Sequence, residues 1–279
     1  MFEHPEPDIE TIIMPRKDAS KKQIEWEKKQ DEIAKKKQEE DKKKRDEPQE
    51  LREVTGELPK NWPEEITYLW DHTYSDAITA EQRAQLGRTS IELETHSKIS
   101  NAQLASTASS CMITIIEDEK HPARGQRGLF AAEHLEPDRL VCLYMGHVHS
   151  NSKSDTDPYS DYDLCFDRDI DLSVDASKSG NQSRCANDYR GIADRPNAEF
   201  RDCFIKVPCT KRAGGFKWER RVGIFVLSAG KAGKRKHGIK AGEEILISYG
   251  KQFWESRKMM AQFHEDFETL KVVDAALEG

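Results

Sequence analysis

The chain has no run approaching the ~20 consecutive apolar residues that a membrane-crossing helix needs. Its first residues, M-F-E-H-P-E-P-D, lack a basic stretch followed by an apolar one, so no secretory leader is expected. The six cysteines (Cys111, Cys142, Cys165, Cys185, Cys203 and Cys209) include no C-x-x-C pair. No zinc or other metal site is therefore expected from them, and they are taken as free thiols of a reducing compartment. An excess of positive charge is also missing. Lys and Arg number 44 against 51 Asp and Glu, a net charge of −7 that disfavours direct nucleic-acid binding by the whole molecule. Local basic patches stay open. No internal repeat is found. What remains is a polar chain of 279 residues, 36% hydrophobic and 34% charged, long enough for one substantial domain with extensions.

The charge is unevenly spread. Residues 1–58 are dominated by a low-complexity segment rich in Lys, Glu and Gln, all good helix formers. Glu25 and Lys29, or Glu32 and Lys36, fall at i, i+4. Only Ile24, Trp26, Ile33 and Ala34 interrupt the polarity, so no apolar face can hold such a helix on a core. Disorder or a solvated single helix is expected, and the arm should be dispensable for folding. Lys42 to Arg45 offers a nuclear-import signal, weakened by acidic neighbours, and a partner-binding arm is the alternative.

Residues 59–110 are expected to form a helical extension. Asn61 is a candidate cap with Pro63 in the first turn, and Ile66, Leu69 and Trp70 would share one face. A second helical stretch over 79–97 would enter at Thr79, with Gly87 able to break it. From 111 to 250 the texture changes to short β-rich runs: Met112–Ile116, Arg139–Tyr144, Tyr162–Phe166, Phe200–Val207 and Val222–Leu227. Clusters of Gly, Pro, Asn and Asp separate them. Residues 251–279 return to a helical pattern through Phe253, Trp254, Met260, Phe263, Phe267 and Leu270. The fold class is therefore mainly β with peripheral helices (α+β).

Three segments of the β-rich region carry chemistry. They are R-G-L-F-A at 127–131, the G-N-Q-S-R-C-A-N-D stretch from Gly180 to Asp188 with the following Pro196–Asn197, and E-E-I-L-I-S-Y-G from Glu243 to Gly250. Together, in this order, they resemble the SET-domain protein lysine methyltransferases over residues 111–254, about half of the chain. The resemblance implies a SET-domain fold of short strands with a knot-like loop crossing, helped by Pro196 and Asn197. It implies transfer of a methyl group from S-adenosyl-L-methionine to a lysine amine. The partner would be a protein or peptide presenting a lysine, histone tails being the usual class and non-histone proteins an alternative. It also implies a chromatin-associated, nuclear or cytoplasmic setting.

By the same resemblance Tyr249 takes the place of the family's essential tyrosine, and Tyr162 that of a second active-site tyrosine. Arg127, Gly128, Arg184, Asn187 and Asp188 would meet the cofactor, and an aromatic just after Tyr249, Trp254 above all, can pack on adenine or roof the lysine channel, a core anchor on the helix face being the alternative. Ile247 and Phe253 would line the substrate channel. Two departures stand out. Gln126 replaces the first glycine of a G-x-G pair, narrowing the backbone's approach to a ligand. Asp188 replaces the histidine of the N-H-S motif, which puts that side chain's contact in question while a backbone contact would survive. The cysteine-rich zinc segments that flank many family members have no counterpart. Residues 208–220 and the basic run 229–240 form loops longer than a minimal SET domain needs. Two other functions compete: a non-catalytic SET-like module that binds a protein or the cofactor, and a Cys–His hydrolase using Cys185 and His237. No nucleophile signature surrounds Cys185.

Overall fold

A computed structural model describes residues 57–88, 97–209, 215–230, 237–259 and 262. The chain divides into two compact units, Met1–Arg52 and Glu53–Gly279, and the described residues all fall in the second. The charged arm before residue 57 and the helical pattern beyond residue 262 thus lie outside the described residues.

The strands, in chain order, are β1 (Thr67–Tyr68), β2 (Thr73–Tyr74), β3 (Gly87–Arg88), β4 (Ser97–Ile99), β5 (Cys111–Ile115), β6 (Arg127–Ala131), β7 (Leu140–Leu143), β8 (His147–Ser150), β9 (Asp163–Asp167), β10 (Leu172–Asp175), β11 (Ser179–Gly180), β12 (Asn187–Asp188), β13 (Ala198–Cys209), β14 (Gly215–Val226) and β15 (Leu246–Ile247). Two short helices, α1 (Ala80–Gln85) and α2 (Asn101–Ser106), precede β5, and residues 251–259 are helical. The described chain is mainly β strands in small sheets with few helices. One sheet has the order β3-β14-β13-β4 with β7 also paired to β14, another β2-β8-β10-β9, and three pairs complete the set: β1-β11, β5-β6 and β12-β15.

The centre of the fold is β14. Its end V-G-I-F-V is buried on both faces, so it carries a continuous apolar run rather than an alternating one. Val222 joins a cluster with Leu86, Phe166, Leu172 and Val174. Ile224 and Val226 join Leu129, Val141, Ile245 and Ile247. Phe225 joins Leu140, Ile99 and Ile205. One strand thus ties three hydrophobic clusters together.

The helical extension expected over 59–110 is instead mixed. Asn61 does not cap a helix: its φ is +65° and its amide donates to the Ile113 carbonyl, 2.9 Å away. The chain turns there, buries Trp62, and then pairs as β1 in parallel with β11. Pairing with a free strand edge overrides the i, i+3, i+4 spacing. Thr79 does start a helix, with a capping box in which Thr79 Oγ1 accepts from the Gln82 N–H and Gln82 Oε1 accepts from the Thr79 N–H. That helix stops at Gln85, and Gly87 enters β3 against Glu219. The expected loop 208–220 is largely strand. β13 and β14 stay in register from Ala198↔Val226 to Cys209↔Gly215.

Two buried charged groups brace these sheets. Glu219, 2% exposed, accepts from Arg221 (2.8 Å), Arg83 (3.2 Å) and the Tyr74 hydroxyl (3.3 Å), and pairs with Lys217 at 2.7 Å. His149 on β8 reaches Asp163 on β9 at 3.2 Å and the Ser150 carbonyl at 2.9 Å. The bond to Asp163, opposed by burial, raises the His149 pKa from 6.5 to about 9. A raised histidine stabilises the fold fully below its unfolded pKa and loses that contribution as pH rises through the folded one. Stability should therefore fall between pH 6.5 and about 9, and His149→Gln should abolish that part of the fall. Thermal melting of both proteins across that window is the check. Parallel melting curves would show that the pair contributes nothing.

Candidate functional site

The parallel pairing of β12 with β15 sets Asn187 opposite Leu246 and Asp188 opposite Ile247. Tyr249, two residues past β15, is thereby held beside Asp188, whose Oδ2 accepts from the Tyr249 N–H at 2.7 Å. Gly250 at φ +88° turns the chain straight into the helix 251–259. That turn folds Phe253 edge-on to the Tyr249 ring at 4.9 Å and stacks Trp254 on it at 6.4 Å.

Two cavities meet at this tyrosine. The larger, about 660 Å³, is walled by Gln126, Arg127, Arg184, Asn187, Asp188, Trp254 and the loop from His121 to Gly125, among others. The smaller, about 200 Å³, is walled by Tyr144, Leu164, Ala186, Phe200, Ile247 and Ser248. Asp161, Tyr162, Arg184, Tyr249 and Phe253 line both. The candidate residues named from the sequence therefore line one or other of two adjoining cavities, with one exception. Gly128 is buried behind the wall. A Cβ there would lie 2.7 Å from Phe130 and 2.9 Å from Glu244 Oε1, so the missing side chain makes room for both.

Glu244 organises the far wall, and sequence reasoning missed it. Its Oε1 accepts from Asn187 Nδ2 at 2.9 Å and its Oε2 pairs with His121 Nε2 at 3.0 Å. His121 Nδ1 accepts the Ala123 N–H at 3.0 Å, which assigns the ring proton to Nε2, facing Glu244. Asn187 is thus pinned by its amino group, and no donor among the described residues reaches its carbonyl oxygen. Glu244 lay in plain view in E-E-I-L-I, but nothing local marks a strand-edge glutamate as a strut. His121 carries no sequence signal at all. Asn197, a candidate turn residue, bonds both ways to the segment before β15: its Nδ2 donates to the Glu244 carbonyl and its Oδ1 accepts from Leu246 N, each at 2.8 Å.

The electrostatics separate donors from bases. Burial, then the neighbouring Tyr162, Asp188 and Asp161, push the Tyr249 pKa well above its usual 10. Its hydroxyl stays protonated at neutral pH and donates to the Ala186 carbonyl at 2.9 Å. Arg184 lies 4.2 Å over the Tyr162 ring and donates to the Ala176 carbonyl at 2.8 Å. Arg257 of the helix 251–259, which also lines the larger cavity, pairs with Asp161 and donates to the Tyr159 carbonyl at 3.3 Å. The Cys–His arrangement is not assembled. Cys185 lines the larger cavity, burial raises its pKa to about 11, and His237 lines a separate cavity of about 290 Å³. A thiol so placed has little thiolate character, and His237 is not beside it to act as its base.

No protein-family model matches the chain, and no curated protein matches it. Similar solved structures include ctPRC2 in an autoinhibited conformation bound to S-adenosylmethionine, at 22% identity and TM-score 0.37, covering 56% of this chain and 17% of that one. The Chaetomium thermophilum polycomb repressive complex 2 is similar at 24% identity and TM-score 0.33, covering 50% of this chain and 15% of that one. This chain therefore spans about a sixth of the length of those it resembles.

Proposed function

We propose that the chain is a SET-type protein lysine N-methyltransferase that uses S-adenosyl-L-methionine. The observation that carries this is the meeting of two unequal cavities at Tyr249. The larger is polar-edged and roomy enough for a nucleoside-bearing cofactor. The smaller is narrow and aromatic-walled, which suits the alkyl chain of a lysine. A methyl donor on one side and an amine on the other would meet at the residues that line both.

The donor set fits the cofactor. Asn187 offers a free carbonyl oxygen and Trp254 an aromatic face, while Arg127 and Arg184 supply guanidinium donors to a carboxylate. When bound, S-adenosyl-L-methionine supplies a methyl group activated by a sulfonium. This chain's own residues hold and orient the amine and keep water out. Tyr144, Phe200, Ile247 and Phe253 give the smaller cavity an apolar wall that disfavours the ammonium, while the Asp161 and Asp163 carboxylates that also line it favour that form. Tyr249, protonated and donating to Ala186, is an orienting and charge-stabilising group rather than a general base. The amine's proton must therefore leave before or during entry. Histone tails are the proposed substrate class, with non-histone proteins the alternative, in a nuclear or cytoplasmic setting.

The reading is tested by radiolabelled methyl transfer to histones and to whole-cell extract. Cofactor binding without transfer to any protein would favour a binding module. A separate prediction concerns the cofactor wall. Asn187→Ala should weaken S-adenosylmethionine binding by ~1–3 kcal/mol, because buried groups lose their partner. Calorimetric titration of the folded variant is the measurement, and unchanged affinity would remove Asn187 from the cofactor site.

A further inference from the structure

Asp188 stands where the SET resemblance expects histidine, and the structure shows what the acid does there. Its carboxylate is nearly fully buried, at 7% residue exposure, in the wall of the larger cavity. Oδ2 accepts from the Tyr249 N–H at 2.7 Å and from the Trp254 indole N–H at 3.3 Å. Oδ1 accepts from the Arg190 N–H at 2.9 Å, and the Arg190 guanidinium bridges both oxygens at 3.2 and 3.0 Å. The same guanidinium lies 5.8 Å over the Trp254 ring. A neutral histidine has a single acceptor nitrogen and could not serve these donors together. The substitution is therefore matched to its surroundings: the negative charge is met by Arg190, and the remaining lone pairs are spent on Tyr249 and Trp254.

We propose that Asp188 is a positioning residue that ties the Tyr249 backbone and the Trp254 indole into one rigid wall, with Arg190 as its counter-ion. This rests on the methyltransferase reading for its kinetic consequence, but the tie itself is a property of the fold. A loosened Tyr249 misplaces the hydroxyl at the junction of the two cavities, which costs turnover. A loosened Trp254 opens the cofactor wall to water.

The test uses the full chain with Asp188→Ala and Asp188→Asn. Alanine removes every bond, and asparagine keeps one acceptor while losing the charge. Hydrogen bonds to a charged acceptor are the stronger kind, so kcat should fall about tenfold in the first and about threefold in the second. The emission of Trp254 should move to longer wavelength in the same order, and that movement should vanish when the changes are repeated in a Trp254→Phe background. A merely structural aspartate would lower the melting temperature yet leave kcat and emission at parental values where the protein is folded, and that result overturns the proposal. If Asp188→Ala does not fold, Asp188→Asn decides by the same two readouts, parental values again overturning it. If the parent methylates nothing, the methyltransferase reading fails on its own. The Trp254 emission then still supports or overturns the tie.

Discussion

Tyr249→Phe should lower methyl transfer by ~10²–10³-fold while leaving S-adenosylmethionine affinity nearly intact, because one aimed polar group in a dry site can be worth that much. The ring should survive the change: its edge contact with Phe253 and stack on Trp254 involve no hydroxyl. The backbone N–H bond to Asp188 is also untouched. Only the hydroxyl and its bond to the Ala186 carbonyl are lost, and Ala186 lines the smaller cavity. The effect should appear in kcat and kcat/KM together, as for an interaction made mainly in the transition state. The measurement pairs a methylation assay with a cofactor titration on both proteins. A mutant turning over at the parental rate would show that Tyr249 is not the catalytic tyrosine. Joint collapse of binding and folding would make it a core residue instead.

Glu219→Ala should destabilise the fold by ~3–5 kcal/mol, the usual consequence of removing one partner of a buried ion pair. Arg221 is 1% exposed, and its remaining anionic partner in the cluster is Asp71, at 2.9 Å. Arg83 and the Tyr74 hydroxyl lose an acceptor at the same time, so β2, α1 and β14 are loosened together. Chemical denaturation gives the number. A loss below about 1 kcal/mol would mean that water or rearrangement serves Arg221. The pH dependence has a fixed sign. Burial raises the Glu219 pKa, but Arg221, Lys217 and Arg83 outweigh it and lower the value from 4.5 to about 2. A depressed carboxylate stabilises the fold above its unfolded pKa and loses that contribution as pH falls through the folded value. The parental protein should therefore lose stability between pH 4.5 and about 2 by an amount that the alanine variant does not show.

Local pattern made much of the β region legible. The run Val222–Leu227 and the E-E-I-L-I segment are apolar enough to be buried wherever they pair, and they became the end of β14 and β15. Thr79 announced a helix because its capping partner Gln82 is three residues away, within the same turn. The 61–70 segment misled for the opposite reason. Its helical spacing is real, but the energy lay in partners far along the chain, Ile113 for the Asn61 amide and β11 for the backbone of β1. The inner halves of β13 and β14 were expected as the runs Phe200–Val207 and Val222–Leu227, and the outer half was taken for a loop although Phe216-Lys217-Trp218-Glu219 alternates as a strand does.

The sequence alone determined the kinds of groups available: short strands of β-branched and aromatic residues, a tyrosine ending an apolar strand, an asparagine and an arginine in a tight loop, and aromatic residues at the head of a helix. Those are properties of composition and near-neighbour spacing. Tertiary structure alone decided which groups work together. Glu244 became the strut of Asn187 because β12 and β15, about sixty residues apart, pair in parallel. Asp188 became the hub of Tyr249 and Trp254 through that pairing and the turn at Gly250. Gly128 was set against Phe130 and Glu244, outside the residues that line either cavity. A hydrogen bond or a close packing contact depends on ångström distances between residues far apart in the chain, and no local pattern encodes those distances.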